Sequence, residues 1–150
     1  MGELLENLQI RKIRAEDASD IGSIQAAITK SPSNIDFRQI IEEQVRKDED
    51  ASFVAEIGGK VVGYMISYIM FGGFGLEKSA WIATLGVDPK FMGRGIGKRL
   101  AEEILAVYRK KGINDIYTSV RWDSADLLSF FKTMGFDRSN FINLRKVLDS

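Results

Sequence analysis

Neither cysteine nor histidine occurs among the 150 residues. Without cysteine there are no disulfides, thiolate metal sites or thiol nucleophile. Without histidine there is no Ser-His-Asp or Cys-His machinery, no His-Cys zinc site and no imidazole base. Proton transfer, where needed, falls to Asp, Glu, Lys, Tyr, water or the backbone. An excess of one charge is missing too: 21 basic and 21 acidic residues are mixed along the chain. That balance argues against a nucleic-acid partner, which calls for a positive field. The long uncharged run, from Val61 to Leu76, is shorter than the ~20 residues of a membrane span. It carries four glycines and reads as a buried strand with a Gly-rich loop. The first six residues show no signal-peptide pattern, so the expectation is a cytoplasmic protein with no membrane or metal. Linkers and repeats are absent, which predicts one domain over 1–150, a size that buries roughly 68–70% of the unfolded surface.

Local pattern gives the element order. Ile10–Arg14 alternates apolar and charged residues, as a half-exposed strand does. Glu16-Asp17-Ala18 opens a helix with Ile21, Ile24 and Ile28 on one side, broken by Pro32. Phe37, Ile40, Ile41, Gln44 and Val45 keep helical spacing in a second helix. Ser52–Ile57 and Val61–Phe71 read as antiparallel strands joined at Gly58-Gly59. After the loop Gly72-Gly73-Phe74-Gly75, Ser79–Val87 is a strand. Ile96, Leu100, Ala101, Ile104, Leu105 and Tyr108 mark a helix stopped by Gly112. Asn114–Val120 is a strand, Ser124–Met134 a helix ended by Gly135, and Asn140–Val147 a last strand. The order β-α-α-β-β-β-α-β-α-β predicts an α/β (α+β mixed) fold with helices on both faces of a mixed, mostly antiparallel sheet.

The chemistry is concentrated in Leu85-Gly86-Val87-Asp88-Pro89-Lys90-Phe91-Met92-Gly93-Arg94-Gly95-Ile96-Gly97-Lys98. A strand runs into a turn with three alternating glycines and then directly into a helix. Such a turn lets the backbone approach a ligand, and the helix N-terminus adds partial positive charge, so the segment suits a pyrophosphate. Spacing rules out two other phosphate motifs. The dinucleotide fingerprint needs G-x-G-x-x-G, and the Walker loop would need glycine at Met92 and Ser or Thr at Arg99.

This segment resembles the acyl-CoA loop of the GNAT superfamily of N-acyltransferases, Gln/Arg-x-x-Gly-x-Gly/Ala. Downstream, Val120-Arg121-Trp122-Asp123-Ser124 through Phe130-Phe131-Lys132-Thr133-Met134-Gly135-Phe136 is similar to that family's V-R-x-S-N-x-x-A-x-x-L-Y-x-x-x-G-F segment. The order of elements is similar over nearly the whole chain. The resemblance implies an N-acetyltransferase that moves an acetyl group from acetyl-CoA to a primary amine, on a protein or small molecule, as monomer or homodimer. It implies backbone contacts from Leu85, Gly86 and Val87 to the pantetheine arm, an extended group that can add to a strand edge. Gly86 hints at a bulge that splays this strand from the one starting at Asn114. The resemblance further implies a diphosphate held by Met92, Gly93, Arg94, Gly95, Ile96, Gly97 and Lys98, with Arg94, Lys98 or Lys132 meeting the nucleotide-end phosphate.

Three positions depart from the pattern. Met92 replaces Gln or Arg, losing one side-chain donor while the main-chain donors remain. Ser124 replaces an Asn that often contacts the cofactor; it is also a natural helix N-cap. Phe131 stands where a Tyr commonly protonates the departing thiolate. A thiol with pKa near 8.5 leaves as thiolate at pH 7 for about 2 kcal/mol, so the loss slows transfer without forbidding it. Tyr117 is the substitute acid. The strand before the glycine turn carries no carboxylate, which leaves Glu77, just ahead of it, as candidate base; Asp88 suits the turn with Pro89 and Asp123 a helix cap. Tyr64, Tyr68 and Trp81 are candidate acceptor-lining residues. A second expectation is an acyl-CoA-binding regulatory module with weak catalysis, supported by the same losses.

Overall fold

The computed structural model describes residues 7–30, 35–47, 51–72 and 77–149. Five strands, β1 (Leu8–Lys12), β2 (Phe53–Ile57), β3 (Lys60–Phe71), β4 (Lys78–Val87) and β5 (Ile116–Thr118), form one sheet in the order β1-β2-β3-β4-β5. The first four pair antiparallel and β4 with β5 parallel. Among the described residues, four α-helices accompany them: α1 (Ala18–Thr29), α2 (Phe37–Arg46), α3 (Ile96–Lys110) and α4 (Ala125–Thr133). Single-turn 3₁₀ segments precede α1 (Ala15–Asp17) and follow β4 (Pro89–Phe91). This is the mixed sheet expected from the element order.

Two apolar clusters, one on each face, fix the layers. Ile21, Ile24, Phe37 and Ile41 of α1 and α2 meet Val54, Val61, Tyr64 and Ile66. On the other face Ile96, Leu100, Ile104 and Tyr108 of α3 meet Val62, Met65, Ile69, Ala80 and Ile82. Helix α3 presents this stripe because its apolar residues recur every three or four positions. Gly112, at φ 75, ends it in the left-handed conformation that glycine adopts without strain. Gly58 and Gly59, at φ 58 and 81, make the expected β2–β3 turn.

A hydrogen-bonded cluster inside the second core ties α3 to the sheet. The Tyr108 hydroxyl accepts the Ala51 N–H (3.1 Å) and lies 2.6 Å from Ser67 Oγ, which donates to the Ala51 carbonyl. Ser52 Oγ in turn donates to the Ser67 carbonyl (3.2 Å) and accepts its N–H (3.0 Å). Buried polar groups need such partners.

Several expectations are corrected. Strand β1 begins two residues earlier than Ile10, and β5 shrinks to three residues. No strand forms at Asn140–Val147: among its contacts are Asn143 Nδ2 donating to Ser119 Oγ (2.8 Å), just past β5, and the Phe141 ring against Tyr117 of β5. Gly86 is not the bulge. It lies in regular register opposite Tyr64, and the extra residue of β4 is Ala83, since Ile66 pairs with Thr84 and Ser67 with Ile82. Pro32 and Gly73–Gly75 lie outside the described residues. Among those described, no helix is long and apolar enough to cross a membrane.

Candidate active site

The parallel pairing of β5 on β4 runs from Ala80↔Ile116 to Ile82↔Thr118 and stops there, closed by Thr118 Oγ1 donating to the Ile82 carbonyl (3.0 Å). Strand β4 continues five residues further, so Ala83–Val87 has β3 on one side and no ladder partner from β5 on the other. Direction along this stretch follows from the Asp88 N–H, which donates to Val62 C=O on β3 (2.8 Å). Main-chain groups of a strand alternate sides, so Gly86 also faces β3 while Leu85 and Val87 turn their N–H and C=O toward the open edge. The edge ends at Asp88, whose Oδ1 accepts the Lys90 N–H (3.0 Å) and shapes the turn with Pro89, as expected.

That turn delivers the chain to the glycine cradle. Gly93 and Gly95 adopt φ 78 and 81, with nothing within 4 Å of either added Cβ. Their role is conformational: an L side chain is strained there. Gly97 differs, because a Cβ there would stand 3.2 Å from Phe130 Cε1; it lets α3 pack closely on α4. The first helical rung is Arg99 N–H to Gly95 C=O (3.1 Å). The amides of Ile96, Gly97 and Lys98 therefore have no acceptor within the helix and point outward from its N-terminus. Beside them the Arg94 guanidinium carbon sits 5.7 Å from the Phe91 ring centroid, with Nη1 buried and without a hydrogen-bond partner. A buried, unpaired cationic nitrogen is costly unless an anion meets it. Met92 and Lys98 are exposed alongside.

Other expected residues fall elsewhere. Tyr64 is 1% exposed, edge-to-face with Phe37 (5.9 Å), and burial pushes its phenol above the ordinary tyrosine value. It is core rather than acceptor lining. Tyr68 and Trp81 are half-buried and paired across β3 and β4. Tyr117 stacks on Trp81 (4.9 Å, 25°). Glu77 is exposed just before β4; at ~3.3 Å per residue it stands about 25–30 Å from Leu85–Val87, too far to act as base for chemistry at that edge. Ser124 occupies the N-cap position of α4 but its hydroxyl makes no cap bond. Asp123 does not cap either: it pairs with Arg121 through two hydrogen bonds (3.1 and 3.0 Å). Phe131 packs in the α3 core against Phe130 and Phe136. Exposed Lys132 lines, with Phe131, a groove of about 880 Å³ along β5 and α4 that excludes the glycine turn.

Sequence reasoning missed the Ala83 bulge. A signal was present: core-facing residues fall at Ala80 and Ile82, then at Leu85 and Val87, a switch from even to odd positions that requires one inserted residue.

Comparison with known proteins bears on the family and the fold. The acetyltransferase (GNAT) family pattern matches residues 10–136. An uncharacterized N-acetyltransferase of Methanocaldococcus jannaschii is 29% identical over 99 residues, 65% of this chain and 44% of that protein. A mycothiol acetyltransferase of Amycolatopsis mediterranei is 33% identical over 94 residues, 61% of this chain and 31% of its own. The matches thus span less than half the length of these relatives. Among solved structures, an aminoglycoside acetyltransferase from an uncultured soil metagenomic sample, in complex with sisomicin, superposes with TM-score 0.80 at 19% identity, covering 97% of this chain and 99% of that one. The aminoglycoside N-acetyltransferase AAC(6')-Iy, in complex with CoA, gives TM-score 0.79 at 16% identity, covering 93% and 94%. At those identities the likeness is one of fold. With the family pattern spanning most of its length, the chain belongs to the GNAT family of acetyltransferases.

Proposed function

We propose that this chain acts as a single GNAT-type domain that transfers the acetyl group of acetyl-CoA to a primary amine. The observation that carries the reading is the conjunction of two features: an unladdered β4 edge at Leu85–Val87, and a glycine cradle whose Arg94 nitrogen is buried without a partner. The residues fit the donor. Free amides of the first α3 turn, with Arg94, suit a diphosphate. The N–H and C=O groups of Leu85 and Val87 suit an extended amide-containing arm added as a further strand.

Chemistry follows from that placement. The amine nitrogen attacks the thioester carbonyl, the C–N bond forms, the C–S bond breaks, and the amine's proton leaves with the thiol or to water. With no cysteine or histidine to carry an acyl group, direct attack in a ternary complex is the fitting course. Main-chain N–H groups of the β4 edge are the donors for the developing oxyanion. Thiolate departure without an acid costs about 2 kcal/mol at pH 7. That leaves transfer feasible with Phe131 buried in the core.

Calorimetry with coenzyme A and a free-thiol assay with acetyl-CoA and an amine panel test the reading. Coenzyme A binding together with amine-dependent thiol release is expected. Binding without release would reduce the protein to a regulatory acyl-CoA module, and absence of binding would remove the proposal altogether.

A further inference from the structure

Upstream of the β4 edge lies an aromatic row that the transfer reading leaves without a task. Tyr68, Trp81 and Tyr117 stand opposite one another across β3, β4 and β5. Ala80 and Ile82 point into the α3 core, as does Ile69, so Trp81 and Tyr68 between them face the other side of the sheet. On that side α1 and α2 cover Val61, Tyr64 and Ile66, and among the described residues the cluster does not extend to Tyr68 or Trp81. All three residues are half-buried.

Ring orientation defines what the row can hold. Trp81 and Tyr117 stack on each other at 4.9 Å, the spacing of neighbouring strands, so that pair stands upright on the sheet with its rings' edges outward. Trp81 is locked by Nε1–H donating to buried Ser79 Oγ (3.0 Å). Aromatic edges are the electropositive part of the ring and favour the face of another aromatic group over a bare cation. The chain already seats one aromatic ring beside the row: Phe141 lies against Tyr117 at 5.8 Å and 61°.

Register then relates the row to the reaction. Tyr68 and Met65 are the β3 partners of Trp81 and Leu85. Three residues of strand, about 10 Å, separate the two positions. An extended aryl-ethylamine seated on the row, plus a near-attack gap of about 3–3.5 Å, covers that distance.

The geometry points to an acceptor whose amine is carried on an aromatic body, an arylalkylamine docked ring-first on Tyr68, Trp81 and Tyr117. This inference rests on the transfer reading above and names its acceptor class.

The test uses the full chain with acetyl-CoA, phenethylamine and the aminoglycoside sisomicin. The expected result is a kcat/KM at least tenfold higher for phenethylamine. Trp81→Ala should raise the KM for phenethylamine about tenfold while the KM for acetyl-CoA stays within twofold, and Trp81→Phe should restore most of the loss. A second readout needs no turnover. Of the two tryptophans, Trp122 is 89% exposed, so Trp122→Phe leaves Trp81 as sole reporter, and phenethylamine should change its fluorescence at millimolar concentration. Preference for sisomicin, or an unchanged phenethylamine KM in Trp81→Ala, overturns the acceptor assignment alone. If coenzyme A does not bind, the transfer reading falls, and a silent Trp81 signal then removes the docking site as well.

Discussion

Replacing Gly86 by alanine tests the architecture of the β4 edge. An added Cβ would stand 2.8 Å from Tyr64 Cε1 and 3.0 Å from both Cζ and Oη. Ordinary contacts begin near 3.4 Å, so one atom must give way. The phenol has little freedom to do so: it is 1% exposed and held edge-on by Phe37. Backbone movement of β4 is the alternative, and that would displace Leu85 and Val87. Overpacking of this kind costs about 1–3 kcal/mol. The rigid neighbour places Gly86→Ala at roughly 2–3 kcal/mol in urea unfolding, or a drop of roughly 5–10 °C in Tm for a domain of this size. The partner variant Tyr64→Leu opens a cavity and loses a comparable amount on its own. In the double variant the new methyl enters that space, so the combined loss should fall short of the sum by more than about 1 kcal/mol. Additive losses, or a Gly86→Ala protein as stable as the parent, would refute the claim that Tyr64 dictates glycine here.

Three further perturbations follow from named contacts. Tyr108→Phe deprives the buried Ala51 N–H and Ser67 Oγ of a shared partner; stability should fall by about 1–3 kcal/mol with coenzyme A affinity unchanged, both read by titration. Arg94→Ala should weaken coenzyme A binding about tenfold and flatten its dependence on salt in calorimetry, with Tm nearly unaffected, because the guanidinium lacks a protein partner for Nη1. Burial alone would raise the Asp17 carboxyl, but hydrogen bonds from Arg11 and from the Arg14 N–H outweigh it and hold the group below 3.8. A depressed folded value means the stabilisation is present above the unfolded pKa and is lost as pH falls through the folded one. Asp17→Asn should therefore cost about 2 kcal/mol at pH 7, and the gap from the parent should close as acid unfolding is followed below about pH 4.

What the sequence made legible was whatever depends on neighbours along the chain. The Gly58-Gly59 turn, the α3 stripe and its Gly112 stop, and the Gly93–Gly97 cradle follow from local conformational rules and appear at the expected residues. Contacts between distant segments were not legible. Tyr64 looked like a pocket residue because a tyrosine on a strand can face either way; only the packing of α1 and α2 over it decides. The segment from Asn140 carries apolar residues at Phe141, Ile142, Leu144 and Val147, yet a strand exists only with a ladder partner. Its Ile142 and Leu144 are 83% and 88% exposed. Glu77 seemed near the reaction in sequence, but it precedes a ten-residue strand whose far end carries the open edge.

The residue that organises the site is one with no chemistry of its own. Before Ala83, even-numbered residues of β4 send their main-chain groups toward β5: Ala80 donates to Asp115 C=O (3.1 Å) and Ile82 accepts from Thr118. After it, the same direction belongs to Leu85 and Val87. Without the insertion, Thr84 and Gly86 would face the open edge, and the side chains of Leu85 and Val87 would leave the α3 core for the α1–α2 face. The bulge thus does two things with one residue. It ends the parallel ladder by bending β4 away from β5, and it keeps apolar side chains inward on both sides of the break. A strand edge that would otherwise invite pairing with another chain becomes a short, defined opening. It leads directly into the turn that carries Arg94 and the first amides of α3.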